Sequence, residues 1–502
     1  MSPRRRVLLI GWDAYPHFAY GGVYRWQRSL IEGLPDWQFV VFNQLSNPNA
    51  SANYNLPNNV KVIGIPIFGT SRYEEYYDDD GRPIVSRMRR TTEEVVSSAF
   101  LPLFDSLLEE ILFEECDQER LQETVCGIHS LFAIYDYKKC LESPRAWENF
   151  LKQLDRDRLY KEMKLSEAAT AFRIIQRFLQ LLSVRLPEVD LVQCALAWLP
   201  SLLAIVAKRE FGAPVVVTEH GVAFRELLLT FNAYIHKESS RILWKTVATN
   251  VIKTVYSVAD VVVPVSRVNA SWQQRLGTPP AKIKLIYNGI DVDRFVPMNV
   301  PRLDERPTVV TVARIEPFKD IVCLIQAIKY VREHEPNVRC LIFGESITLE
   351  YATKCANAVK EARLEESVKF MGATREPEKV YNAADVVVIS SVTEGLPLTV
   401  VEAMACGRAV VSADVGGVRE ALQGCGILVK SRNPYELGQA IVTLLRDEKL
   451  RSELGAAGIR KARAEFSHKH MVSEYSKLYE SLTAVREREP AREAALQESR
   501  VA

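Results

Sequence analysis

Short apolar runs and stretches of helical periodicity alternate along most of this chain. RRVLLIGW at 5–12, Phe39–Leu45 and Val60–Ile67 read as strands, with an amphipathic helix from about Val23 to Leu34 between the first two. From about Gly69 to Pro187 the alternation stops. Helical periodicity runs through Val95–Phe113, Leu121–Lys138, Ala146–Leu154 and Ala168–Leu182, which marks a helical insertion. Alternation then resumes: strands at Val189–Cys194 and Pro214–Thr218, helices at Pro200–Phe211 and Leu243–Ser257, a strand at Val261–Ser266, a helix through Leu276 and a strand at Ile283–Tyr287. In the second half, strands are expected at Thr308–Ala313, Val338–Phe343, Val368–Met371, Val386–Ile389, Ala409–Ser412 and Gly426–Val429, with helices between most of them. Strands rich in β-branched residues alternating with helices imply parallel sheets covered on both faces. A last amphipathic helix follows Phe466, and the charged tail from about Ala484 has no core pattern and is expected to fray.

Composition narrows the class. A chain of 502 residues has room for roughly two to four domains. Sixty-four basic and sixty-three acidic side chains leave a formal net charge of +1, so no overall field draws nucleic acid or an anionic membrane, and no nucleic-acid partner is expected. The first apolar run, Val7–Gly11 behind Arg4, Arg5 and Arg6, is too short for a signal-peptide core, and no window approaches the roughly eighteen apolar residues of a membrane helix. Nine cysteines without a CxxC pair are expected to be reduced core thiols in a cytoplasmic protein, with Cys406 a packing residue.

The chemistry centres on SSVTEGLPLTVVEAMACG, residues 390–407. It follows the apolar run Val386–Ile389 and ends in an apolar helical pattern stopped by Gly407, so it reads as strand, loop, helix. Glu394 lies in the loop and Glu402 in the helix, with Gly395, Leu396, Pro397 and Thr399 between them, where the first helical amides are free to favour a phosphate. Carboxylates flanking an anion seat are repelled by phosphate and suit hydroxyl protons, so the pair describes a nucleotide sugar. A cap for Glu394 and a solvated face for Glu402 are the competing readings, but Ser390, Ser391 and Thr393 already offer capping hydroxyls and the helix is too apolar for a surface.

Three further features stand at strand ends. Arg314 and Lys319, after the strand Thr308–Ala313, can converge on one diphosphate, or form a surface pair near a turn. His220 in TEHG ends a strand, where open α/β sheets bind ligands; a structural histidine is the other reading. Gly21-Gly22 lets backbone approach a ligand or makes a turn needing positive φ, and no GxGxxG follows the first strand, which argues against a dinucleotide-dependent dehydrogenase. Asp78-Asp79-Asp80 invites comparison with a metal-binding DxD, but no strand precedes it and a Gly-Arg-Pro turn follows, so it reads as a solvated turn.

Together, Gly21-Gly22, Thr218–Gly221, the Arg314–Lys319 loop and EGLPLTVVEAMACG resemble a retaining family 4 glycosyltransferase of the GT-B fold. TEHG, NGID at 288–291 and the long insertion more narrowly resemble the PelF-type glycosyltransferases of bacterial exopolysaccharide systems. The resemblance implies two Rossmann-like domains facing across a cleft: an acceptor-side domain at 1–297 carrying the insertion at about 69–187, a nucleotide-sugar domain at 298–465, a helix at 466–483 crossing back onto the first, and a charged tail at 484–502. It implies that Arg314 and Lys319 hold the donor diphosphate, that Glu402 takes the ribose hydroxyls and that Glu394 faces the transferred sugar. Gly395, Leu396, Pro397 and Thr399 then contact phosphate or sugar, His220 lies beside the sugar, and Gly21 and Gly22 border the phosphates and acceptor. UDP-glucose as donor, a glycan acceptor, no cofactor and no required metal are also what the resemblance implies, as is a cytoplasmic place peripheral to the inner membrane with a membrane-protein partner. Alternatives of the same fold are a disaccharide synthase, an ADP-sugar-dependent glycosyltransferase and, more distantly, a nonhydrolysing sugar epimerase; of another class, a catalytically silent nucleotide-sugar-binding subunit of a membrane complex.

Overall fold

The computed structural model describes residues 5–501 except 18–20, 48–49, 51–55, 67–83, 301–303 and 347, with side chains left out also at 65–66 and beyond 484. The acidic run at 78–80 lies outside the described residues. The chain forms two compact units, one of residues 1–263, 272–284 and 475–502, the other of residues 264–271 and 285–474.

The first unit is built on six strands: β1 (Arg6–Trp12), β2 (Gln38–Leu45), β3 (Val60–Pro66), β4 (Leu191–Cys194), β5 (Val215–Glu219) and β6 (Val261–Pro264). Their order is β3-β2-β1-β4-β5-β6, with parallel ladders from β3 through β5. The order reverses between β1 and β4, the switch point of a doubly wound sheet. The second unit repeats this design with β7 (Thr308–Val312), β8 (Arg339–Phe343), β9 (Val368–Gly372), β10 (Val386–Ile389), β11 (Ala409–Ala413) and β12 (Ile427–Val429), ordered β12-β11-β10-β7-β8-β9 and parallel throughout. Its switch point lies between β7 and β10.

Why β10 is an unbroken apolar run follows from its burial. Val386 and Val388 enter one core with Val309 and Val411, whereas Val387 and Ile389 enter another with Val310 and Val410. A strand covered on both faces has no solvent side to alternate toward.

The insertion is part of the first unit's core rather than a separate module. Phe100, Phe104, Phe132 and Ile175 share one cluster with Leu8, Ile10, Val192 and Val215 of the sheet, and Phe100 stacks on Phe104 at 5.3 Å. Its helices depart from the expected boundaries in one telling place. The helix Gln118–Ile134 stops before Asp136, whose carboxylate accepts from Lys139 N and starts a new helix, Tyr137–Leu141.

Three other expectations are corrected. Ile283–Tyr287 is not a strand: a single bridge, Val262 to Ile283, joins it to β6, with Lys284 N donating to Val262 O at 3.0 Å and Ile286 N to Pro264 O at 3.2 Å, short of a ladder. The helix Ala223–Tyr234, which no periodicity announced, follows β5 after a short turn; none of its residues is fully buried, and Ala223, Phe224, Leu227 and Phe231 pack partly buried against the first core. The last helix continues from His468 through Val501, since Ala, Glu, Arg and Gln sustain helical backbone beyond the last core-facing residue.

NGID acquires a packing reason. Ile290 N donates to Phe466 O and His468 N donates to Ile290 O, each at 2.8 Å, so this turn is spliced to the start of the last helix. A Cβ on Gly289 would stand 2.4 Å from the His468 backbone.

Candidate active site

Lys319 and Glu394 meet at the switch point of the second unit. The loop after β7 and the loop after β10 are stitched together by Val392 N donating to Phe318 O at 2.8 Å and by Ser390 Oγ donating to Lys319 O at 2.8 Å. That stitching sets Lys319 Nζ 2.6 Å from Glu394 Oε1, which also accepts from Ser391 Oγ at 2.6 Å. The two side chains are 20% and 11% exposed, so solvent screens this pair less than a surface one.

Directly after Glu394 comes the helix Leu398–Ala405, with Pro397 at its N-cap and no side-chain cap among the described residues. Two of the three hydroxyls expected to cap it bond elsewhere, Ser390 to Lys319 O and Ser391 to Glu394. Its first amides are therefore open toward an anion, beside a lysine. Thr399 lies in the first turn, and Leu396 is buried beneath the loop. Glu402 lies one turn deeper, 1% exposed, with Oε2 accepting from Tyr381 Oη at 2.9 Å. A buried carboxylate held by a tyrosine is fixed in direction, which a hydroxyl-recognising group needs.

Arg314 stands apart from this pair. It is 60% exposed and its guanidinium bonds Glu316 at 2.9 Å. In the first unit, Gly21 has φ +102 with nothing within 4 Å of an added Cβ, so positive φ rather than crowding calls for glycine there. Gly22 opens the helix that ends at Gly33, again without a described side-chain cap. His220 follows β5, its ring 4.6 Å from that of Trp26 in an edge-to-face contact. Cys406, at the end of the Leu398–Ala405 helix, is fully buried, and burial pushes its thiol up to about 12, which suits packing rather than reactivity. All nine cysteines are free. Among the described residues no helix is long and apolar enough to cross a membrane.

Sequence reasoning missed the residues that fix the Glu394 loop. Gly416 has φ +53, and a Cβ there would lie 1.7 Å from Glu394 O; Gly417 N donates to Gly395 O at 2.8 Å, and a Cβ on Gly417 would lie 2.4 Å from that oxygen. The loop after β11 thus packs backbone to backbone on Glu394-Gly395. Gly344 does the same for the other loop: φ +149, with a Cβ that would fall 1.9 Å from Ala313 O. Paired or single glycines just past strand ends were the available signal, but nothing local named their partners.

Two doubly wound units of six strands each are the fold of the GT-B glycosyltransferases. The chain belongs to the family described as "Domain of unknown function (DUF3492)", which matches residues 5–281, and residues 297–461 match "Glycosyl transferases group 1". Among curated proteins it is similar to a D-inositol 3-phosphate glycosyltransferase of Corynebacterium efficiens, 32% identical over 41% of this chain and 52% of that one. It is also similar to an alpha-maltose-1-phosphate synthase of Mycolicibacterium smegmatis, 29% identical over 57% of this chain and 78% of that one. The chain spans about half the length of the first of these relatives. Among solved structures, a sucrose-phosphate synthase of Thermosynechococcus elongatus shares the fold with a TM-score of 0.62 at 19% identity, over 96% of this chain and all of that one. The Anabaena protein HepE, solved with UDP and glucose, shares it with a TM-score of 0.60 at 16% identity, over 95% of this chain and all of that one.

Proposed function

We propose that this protein is a retaining glycosyltransferase that moves a hexose from a nucleotide sugar to a glycan acceptor, with UDP-glucose the first donor to test and exopolysaccharide synthesis the setting. The observation that carries the reading is the Lys319–Glu394 pair beside the open N-terminus of Leu398–Ala405. Cation and free amides suit a diphosphate, and the carboxylates of Glu394 and Glu402 suit the hydroxyls on either side of it. UDP-glucose rests on the family resemblance and on HepE, a protein of the same fold solved with UDP and glucose.

Breaking the bond between sugar and diphosphate builds negative charge on the leaving phosphate. A preorganised cation there stabilises that charge more in the transition state than in the ground state, and losing one such contact costs about 2.7–4 kcal/mol. In the ligand-free protein, Glu394 holds Lys319 in place. On donor binding Lys319 turns to the diphosphate, while Glu394, steadied by Ser391, takes a hydroxyl of the transferred sugar. Arg314, exposed and paired only with Glu316 among the ion pairs of the described residues, turns from that partner to add a second positive charge. The acceptor hydroxyl attacks from the face the phosphate leaves, its proton passing to that phosphate oxygen, so the anomeric configuration is kept. Lys319 and Arg314 supply the charge, so no divalent ion is required. A place at the cytoplasmic face of the membrane, with a membrane-protein partner, completes the proposal.

The test is a screen of the purified chain against UDP-, ADP- and GDP-sugars in chelator, with Glu402→Ala as control and the product anomer read by NMR. Binding of one donor, lost in the variant, with slow release of nucleotide and an α-linked product from an α-linked donor, is the expected result. An inverted product would refute retention, donor binding without any release of nucleotide would leave a silent nucleotide-sugar-binding subunit as the better account, and absence of donor binding in every arm would refute the nucleotide-sugar reading.

A further inference from the structure

The turn that follows β11 is braced on two sides. On one side Gly416 and Gly417 press on the backbone of Glu394 and Gly395, with Gly417 N donating to Gly395 O at 2.8 Å. On the other side lies the start of the helix Arg267–Arg275: a Cβ on Gly417 would also stand 2.8 Å from the Cβ of Ser266, the residue just before that helix. Three residues further on, the Glu420 carboxylate closes the same helix start. Arg267 N donates to Glu420 Oε1 and Oε2 at 2.8 and 3.0 Å, Val268 N donates to Oε1 at 3.3 Å, and Tyr287 Oη donates to Oε2 at 3.0 Å. Asn269 N donates to Ser266 Oγ at 3.2 Å. The first three amides of the helix are therefore all satisfied, two of them by a side chain 153 and 152 positions along the chain. Every residue in this set belongs to the second unit.

We propose that Glu420 is a positioning residue for Glu394: it ties the helix Val418–Leu422 to the start of Arg267–Arg275 and so keeps the Gly416–Gly417 turn against the Glu394 loop. The inference rests on the reading of Glu394 as the group that takes a hydroxyl of the transferred sugar. Val418–Leu422 has five residues, and Gly417 at its N-cap offers no side-chain bond, so the helix is too short to hold its own place. Val418, Ala421 and Leu422 are buried in one core with Ile389 and Val400, which keeps the helix on the sheet, but burial has no direction. Lys461 Nζ, donating to Glu420 O at 2.6 Å, holds the last turn. The bonds from Arg267, Val268 and Tyr287 are directional and come from two separate segments, so they set where the helix lies along its axis. Gly416 and Gly417 directly precede that helix. A shift of the helix is therefore a shift of the turn, and contact between backbones leaves the Glu394 loop no slack to absorb it. A cap for Arg267–Arg275 and nothing more is the competing reading, and it predicts no effect at Glu394.

The test compares two carboxylate caps of the second unit in the full-length protein. Asp447 caps the helix Glu448–Glu465, accepting from Leu450 N at 2.8 Å, and has no bond to the Glu394 loop among the described residues. Glu420→Ala and Asp447→Ala should lower the urea midpoint by similar amounts. Only Glu420→Ala should speed amide hydrogen exchange, followed by mass spectrometry, in the peptide spanning residues 391–397, by about tenfold. It alone should also lower kcat by about tenfold with donor KM changed by less than about twofold, since a misplacement of about 1 Å is worth roughly 10²-fold and the core contacts limit the shift to less. Glu420→Gln keeps one oxygen that can accept from Arg267 N, so it should fall between wild type and Glu420→Ala in both readouts, and it serves in place of Glu420→Ala should that variant not fold. Wild-type exchange at 391–397 and wild-type kcat in Glu420→Ala, beside a lowered urea midpoint, would overturn the proposal and leave Glu420 a cap. Should the wild-type protein transfer no sugar, faster exchange at 391–397 confined to the Glu420 variants would uphold the link to Glu394 while the reaction assigned to the site fails, and unchanged exchange would overturn the link as well.

Discussion

Gly416→Ala is the substitution for which the structure gives the sharpest expectation. Gly416 sits at φ +53, a region that costs an L-residue roughly 1–2 kcal/mol, and its new Cβ would stand 1.7 Å from Glu394 O and 2.7 Å from the Glu394 carbonyl carbon. Ordinary contact needs about twice the first distance, and both partners are backbone, so one loop must yield by more than an ångström. The loop that yields carries Glu394, and through it the partner of Lys319. A misplacement of about 1 Å is enough to lower turnover roughly 10²-fold. Gly424→Ala is the matched control: φ +81, but nothing within 4 Å of the added Cβ. Both variants should lose about 1–2 kcal/mol of stability from backbone strain in urea unfolding. Only Gly416→Ala should lose more than that and also lose turnover with saturating donor. Equal stability losses together with equal, near-wild-type turnover would refute the claim that the loop after β11 sets the position of Glu394.

Other expectations follow from the same geometry. Lys319→Ala should leave the fold intact and lower kcat by about 10²–10³-fold, the effect of removing one charge-stabilising contact; unchanged turnover at saturating donor would show that Lys319 does not meet the diphosphate. Tyr381→Phe should weaken donor binding by about tenfold through loss of the bond that directs Glu402, measured by calorimetry, and an unchanged Kd would mean that Glu402 needs no such support. Glu219 also predicts a slope in stability. Its folded acid lies near 7, above its ordinary 4.5, so the native state holds the proton more tightly, and stability falls as pH rises from about 4.5 through 7. Glu219→Gln should flatten that part of the curve of Tm against pH, and a variant curve parallel to wild type would remove the buried acid as its cause. Cys406, buried with its thiol raised to about 12, should resist alkylation at pH 8 until the protein is unfolded.

How much of this was legible in the sequence depended on the range of the forces involved. Both sheets could be read because a strand buried on two faces is a run of β-branched residues whatever surrounds it, as Val386–Ile389 is. Ile283–Tyr287 looks the same locally but makes only one bridge to β6, with two backbone bonds that stop short of a ladder. AFRELLLTFNAY was missed for the converse reason: Leu227, Leu228 and Leu229 put apolar side chains on adjacent faces, which blurs a period of 3.6 although the backbone is helical. At the site, Lys319 and Glu394 were both named from their loops, but their pairing could not be, since it depends on β7 and β10 being neighbours. Gly416 went unread, since nothing near it in sequence names Glu394 as its partner.

The Glu394 loop of the second unit and the His220 turn of the first differ in how they are held, and that difference explains why one was easier to read. Glu394, the open helix N-terminus and Glu402 come from one continuous stretch, so a short motif carries most of that geometry. The turn bearing His220 has no such economy. Trp26, Tyr256 and Tyr475 reach it from the first, middle and last parts of the chain, each through a single ring or hydroxyl. A motif can specify the residues of that turn but not the aromatic groups that orient them, because their spacing follows from the order β3-β2-β1-β4-β5-β6 and from the return of the last helix to the first unit. Substitutions far from TEHG in sequence should therefore disturb the turn bearing His220 more readily than equally distant ones disturb the Glu394 loop, which has its lysine, serine and glycine contacts packed within a few residues of the strand ends.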